Sequence, residues 1–273
     1  MSSPLISRAE TAMERQISSE SSPHKGLRAE GPAVAAHWAR YIEQVGNQAS
    51  NEKRLNQLRR GVADCARSNR ESGLPVVEVK QWPSRVSSVR TDVYVAFDRV
   101  ATYSHGVAYA LDAQNCSLVE QESLMATVRS LQGVCKVDLL AKLATSTCAN
   151  TRQAARRPMP SAMAPRPGSS LSTMPSPLAP HVTGERRTIA GHTCDVASNP
   201  LDPDQGTRCY ARGGMFPGHG PHVVDDGTAL VIESVSKEGF VFKADEASFD
   251  MAAPAGIFSP HERAGIRIEG AKE

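Results

Sequence analysis

Apolar positions along the chain change their period twice. Between residues 33 and 69, Val34, Trp38, Ile42 and Val45, then Leu55, Leu58, Val62 and Cys65, recur at steps of three and four, the spacing of a single helical stripe. Gly46 and the stretch Asn47 to Asn51 interrupt it, so the pattern predicts a helical segment at 31–72, as one long broken helix or two shorter ones. Lys53, Arg54, Arg59, Arg60, Arg67 and Arg70 fall on the opposite face. Such a run is first of all a solvated helix face, and second a docking surface for an anionic partner or lipid headgroups.

From Leu74 the period becomes two. Val77 and Val79, then Val89, Thr91, Val93, Val95 and Phe97, alternate with Arg90, Asp92 and Asp98 in the manner of half-buried strands. Val107, Tyr109 and Leu111 continue to a turn at Asp112 to Asn115. Cys116 and Leu118 resume the pattern, and Cys135, Val137 and Leu139 carry it toward Cys148. This predicts a first block of antiparallel meander at 73–150. After it, seven prolines between Thr151 and His181 mark 151–182 as a Pro-rich linker or loop.

A second strand-rich block follows at 183–273. Thr188 to Val196 and Arg208 to Arg212 read as the two arms of a hairpin, and Thr228, Leu230 and Ile232 lead through Lys237-Glu238-Gly239 to Phe240 and Phe242 in another. Ile257 to Ile268 is a last, less regular strand. The sum is about ten strands, which one sheet interrupted by the Pro-rich insertion accommodates. Residues 1–30, rich in Ser and Glu with few large apolar groups, read as a disordered start.

Composition narrows this picture. A chain of 273 residues with formal charge +2 is long enough for a real core and too weakly basic to imply nucleic acid. No run approaches the roughly 20 apolar residues of a membrane-spanning helix. Six cysteines point to an oxidising compartment, whereas the opening residues lack the apolar core of a secretory leader. The expectation is a periplasmic or exported protein whose leader lies outside this sequence, with a cytoplasmic protein holding reduced thiols as the alternative.

The cysteines are the candidates for covalent staples: Cys65, Cys116, Cys135, Cys148, Cys194 and Cys209. Cys194 and Cys209 stand 15 positions apart in a hairpin context, and a bond between them would stabilise the fold by about 3 kcal/mol through the unfolded chain's lost entropy. Spacing leaves the pairing of the other four open. Cys65, beside the helical stripe, is either a packed thiol or an anchor tying the helix to the sheet.

The segment Thr188-Ile189-Ala190-Gly191-His192-Thr193-Cys194, followed by Arg208-Cys209-Tyr210-Ala211, resembles a strand motif of an uncharacterised family of bacterial exported proteins. That family in turn looks related to the periplasmic lipoprotein-carrier fold, a curved antiparallel sheet around an apolar concavity. The resemblance covers residues 188–212 and implies location and fold class more than activity. Independently of it, a glycine such as Gly191 inside a strand marks a bulge or a close backbone approach.

Chemistry is sparse. His219 and His222 with Asp225 and Asp226 form a candidate metal loop. Cys194 beside His192, or Cys116 with a remote His105, would be the candidate nucleophiles if the thiols were activated. The expected protein is therefore α+β and mainly antiparallel β, a curved, half-barrel-like meander with an N-terminal helical segment. It is non-catalytic, uses no cofactor, has possible envelope association, and binds a partner or apolar ligand through a disulfide-stapled sheet. The alternatives are a metal-binding module or metal-dependent enzyme using His219 and His222, and a cytosolic interaction protein using the helix at 33–69.

Overall fold

The computed structural model describes residues 16–17, 19–26, 30–45, 48–96, 98–130, 133–148, 181–198, 206–212, 229–236 and 240–269. Its elements are α1 (Pro23–Gly26), β1 (Ala33–Val45), α2 (Gln48–Glu71), β2 (Ser87–Ala96), β3 (Arg99–Leu111), β4 (Leu118–Ser130), β5 (Gly133–Asp138) and β6 (Leu143–Ala144). After these come β7 (His181–Ile189), β8 (His192–Ser198), β9 (Thr207–Arg212), β10 (Ala229–Val235), β11 (Phe240–Pro254) and β12 (Arg267–Ile268). All twelve strands lie in one sheet, ordered β12-β6-β5-β4-β3-β2-β1-β11-β10-β9-β8-β7. Every pairing is antiparallel except that of β12 with β6. The protein is α+β with antiparallel strands dominant, and strands from both sides of the Pro-rich stretch join through β1 and β11.

The first half of the expected helical segment is a strand. Ala33–Val45 pairs with β2 on one side and β11 on the other, and Ala36 through Tyr41 are all buried. Two register shifts against β11, between Ala36 and Trp38 and between Arg40 and Tyr41, break its alternation, so steps of three and four mimic a helix. Gln48–Glu71 is helical, with Leu55 its fully buried anchor. The start is not wholly disordered either: residues 16–17 and 19–26 dock against the sheet, as described below. Residues 1–15 and the Pro-rich stretch 151–180 lie outside the described residues.

Two cores occupy the two faces of β1–β3. On one face Trp38, Tyr94, Ala101 and Tyr103 pack with Ala126, Val137, Ile257 and Phe258. On the other, Ala39, Tyr41, Val93 and Val95 meet Ile189, Val196, Ile232 and Ala244. The sheet is open at β12 and β7 but bends enough that β7 touches β11. Near that contact the His192 ring lies 4.4 Å from the Phe249 ring, edge to face.

Several local expectations are revised. Val77 and Val79 lie in irregular chain, where the Val77 N–H donates to Asn115 O (2.7 Å). Thr188 to Val196 is not one hairpin arm: β7 ends at Ile189 and β8 begins at His192. Ala190 (φ 50°) and Gly191 (φ 79°) make the two-residue turn between them, the left-handed pair that right-twisted hairpins favour. Gly191 is thus a turn residue rather than a bulge. Ile257 to Ile268 is mostly 3-10 turns at Ala255–Phe258 and Pro260–Glu262, with only Arg267–Ile268 bridging to β6.

All six cysteines are paired: Cys65–Cys116, Cys135–Cys148 and Cys194–Cys209. Cys65 is the anchor, fixing α2 to the turn between β3 and β4. Cys135–Cys148 ties β5 to the chain after β6. Cys194 and Cys209 join adjacent strands β8 and β9 diagonally, since Cys194 lies opposite Ala211 and Cys209 opposite Val196.

Candidate binding site beneath the N-terminal segment

Period two places Arg40 of β1, Arg90 and Asp92 of β2, and His105 of β3 on the same face of the sheet as Trp38, Tyr94 and Tyr103. The register then sets them side by side: Arg40 opposite Asp92, Arg90 opposite His105, and Asp92 opposite Tyr103. In an amphipathic strand this row would face water. Here residues 16–26 cover it, and Arg40, Arg90, Asp92 and His105 are all buried.

The covering segment is held mainly by these charges. Arg40 Nη1 donates to Glu20 O (3.0 Å), and Arg90 Nη1 to Ile17 O (2.5 Å) and Glu20 O (3.1 Å). Arg90 Nη2 also reaches Glu20 Oε2 (2.5 Å). Buried Ile17 and Pro23 add apolar contact, and the His24 ring packs edge-on to Trp38 with centroids 4.7 Å apart. Tyr94 Oη receives the His24 backbone N–H (3.2 Å) and lies 2.8 Å from His24 Nδ1.

Asp92 is the centre of the cluster. Its Oδ1 accepts from Trp38 Nε1 (3.0 Å) and Arg40 Nε (3.1 Å), and its Oδ2 from Arg40 Nη2 (3.3 Å). Arg90 Nε stands 3.4 Å from the same Oδ2 without hydrogen-bond geometry and has no other partner. His105 sits between two carboxylates, with Nδ1 2.6 Å from Glu20 Oε2 and Nε2 2.7 Å from Glu122 Oε1. A neutral imidazole has one N–H, so only the doubly protonated ring donates to both.

Two protonation equilibria follow. Burial would raise the Glu20 carboxyl, but hydrogen bonds from His105 and Arg90 outweigh it and hold Glu20 below its ordinary value. Burial, aided by the neighbouring charges of Lys25 and Arg40 against the opposing Asp92 and Glu246, pushes His24 below its own. Burial also lifts Tyr103 to about 12, so its hydroxyl stays a donor, here to Ile257 O (2.7 Å).

Beside this cluster is a cavity of about 290 Å³. Glu20, Arg90 and His105 form its polar end, and Pro23, Leu124, Leu139 and the Tyr103 ring its apolar wall. A broader recess of about 700 Å³ between residues 30–32 and 255–264 is lined mainly by small residues, with Glu30, Glu262 and Arg263 among them. Only the former combines an apolar wall with buried charge.

The other candidates fare differently. Cys116 and Cys194 are disulfide-bonded, so neither offers a thiolate to His105 or His192, and both nucleophile pairs are excluded in this state. His219, His222, Asp225 and Asp226 lie outside the described residues. Sequence reading did not single out a third group, Cys135, Cys148 and buried His261, whose ligand atoms lie within 4.8 Å of one another. Its sulfurs are already bonded together, which leaves it one nitrogen donor. The basic residues of α2 include exposed Arg60, Arg67 and Arg70, with Arg67 paired to Asp64, a solvated face.

Fold and site together define a disulfide-bonded, mainly antiparallel protein with a charged cavity under a covering segment. The chain matches no protein-family model, no curated protein and no solved structure. No described helix is long and apolar enough to cross a membrane.

Proposed function

We propose that this is an exported, non-catalytic binding protein that holds a small amphipathic ligand in the cavity beneath residues 16–26. The observation that carries this reading is the cavity's lining, which sets Pro23, Leu124 and Leu139 beside the buried Arg90 and His105, the usual composition of small-molecule sites. Three disulfides favour an oxidising compartment, and with the strand resemblance at 188–212 they favour the periplasm or cell envelope.

Methyl NMR of Leu124 and Leu139 during titration with octanol and with octanoate tests the binding. Shifts centred on these two residues, and lost in Leu139→Trp, are expected. Shifts scattered over the surface and indifferent to that substitution count against a ligand cavity. Location is tested separately by thiol titration of denatured protein isolated from its native source, where six free thiols would overturn the exported reading.

A further inference from the structure

The geometry points to a carboxylate-binding socket formed by Arg90 and His105, occupied in this structure by the chain's own Glu20, with an amphipathic monocarboxylate as the ligand that replaces it. This rests on the binding reading and specifies the head group. Arg90 and His105 belong to the sheet, and their side chains are 4% and 5% exposed; Glu20 comes from the covering segment and is 42% exposed. The cationic half is therefore built in and the anionic half is peripheral.

Charge counting shows why an anion is required there. Asp92 is hydrogen-bonded to Arg40, which also has Glu246 at 3.7 Å, whereas Arg90 has only an ion pair with Asp92 at 3.4 Å, without hydrogen-bond geometry, besides its contact with Glu20. Glu122 serves His105 from the far side of the ring. With Glu20 withdrawn, Arg90 Nη2 and His105 Nδ1 would lose the oxygen they share, leaving the buried Arg90 guanidinium without its closest anion, a costly state. Any carboxylate delivered to that point restores both charge-assisted hydrogen bonds. The cavity continues from this point toward Leu124, Leu139 and Pro23, which selects a carboxylate bearing an apolar body over a small hydrophilic acid.

Replacement exchanges one carboxylate for another without covalent change. The Glu20 side chain, already partly in solvent, turns outward, and the ligand's oxygen takes its place between Arg90 Nη2 and His105 Nδ1. In the unsubstituted protein the ligand must compete with an internal group tethered at high effective concentration. Removal of Glu20 removes the competitor.

The experiment is calorimetric titration of octanoate and octanol into the full chain and into Glu20→Ala, with Glu20→Gln as a second variant that keeps side-chain length and loses charge. Circular dichroism establishes that each is folded. The expected result is octanoate binding about tenfold tighter or better in both variants, a change the size of one charge-assisted hydrogen bond, with octanol affinity moving less than about twofold. If octanoate and octanol bind but Glu20 substitution changes them equally or not at all, the socket is wrong while the binding cavity stands. If neither ligand binds any variant, both readings fall. Tight binding of an acidic peptide to Glu20→Ala without octanoate binding overturns the proposal in favour of a protein partner.

Discussion

Arg40 and Asp92 face each other across β1 and β2, Nε to Oδ1 at 3.1 Å, with side chains 6% and 1% exposed. Asp92 also takes the Trp38 indole and faces Arg90. Its removal would leave buried Arg40 only the more distant Glu246, at 3.7 Å, and buried Arg90 only the partly exposed Glu20. Asp92→Ala is expected to cost about 3–5 kcal/mol of unfolding free energy in denaturant titration. A loss below about 1 kcal/mol would mean that water reaches the pair.

The α2 staple should act locally. α2 buries few large side chains, Leu55 above all, and Cys65–Cys116 closes a loop of 51 residues, worth about 4 kcal/mol in the chain-entropy model. Replacing both cysteines with serine is expected to abolish amide protection across Gln48–Glu71 while β1–β4 keep theirs, as read by hydrogen exchange. Equal loss in the sheet would show that α2 is integral to the core.

Acidification should release the covering segment in two stages. Docking lowers the His24 and Glu20 values below 6.5 and 4.5, so both groups support the docked state above these values. As pH falls below about 6.5 the free segment takes up a proton at His24 that the docked ring resists, and below about 4.5 the same holds for Glu20. Fluorescence of Trp38, against which His24 packs, followed in a Trp82→Phe background, should change in both windows. Glu20→Gln should erase the lower one; a flat trace across both would refute the linkage.

The β7–β8 turn offers a stabilising change. Ala190 holds a left-handed backbone at φ 50°, which costs an alanine more than an asparagine. Ala190→Asn is expected to raise stability by about 0.5–1 kcal/mol in thermal unfolding, and Gly191→Ala to lower it by a similar amount.

The sequence made some of this legible and hid the rest for identifiable reasons. Period two revealed β2, β3, β5, β10 and the start of β11. β1 was misread because two register shifts against β11 break its alternation. The Cys194–Cys209 pairing was readable from local hairpin context, whereas Cys65–Cys116 depends on where α2 falls in space. The candidate site was missed because Arg90 and Asp92 look like the wet side of a strand. Their one warning sign was the repetition of charge at Arg40, Arg90, Asp92, His105 and Glu122 around a single aromatic-rich face, which only the register brings together.

The seam between β1 and β11 has a consequence for assembly. Its partners come from nearly opposite ends of the chain, as with Ala33 and Pro254, while no disulfide crosses from one strand block to the other. Each block can therefore oxidise on its own as it emerges, with the nearest cysteines meeting first, and the long-range ladder must close last, at the slow pace that distant strand pairing imposes. A chain interrupted before β11 would already hold all six cysteines and could form all three bridges, and would still expose one whole edge of β1.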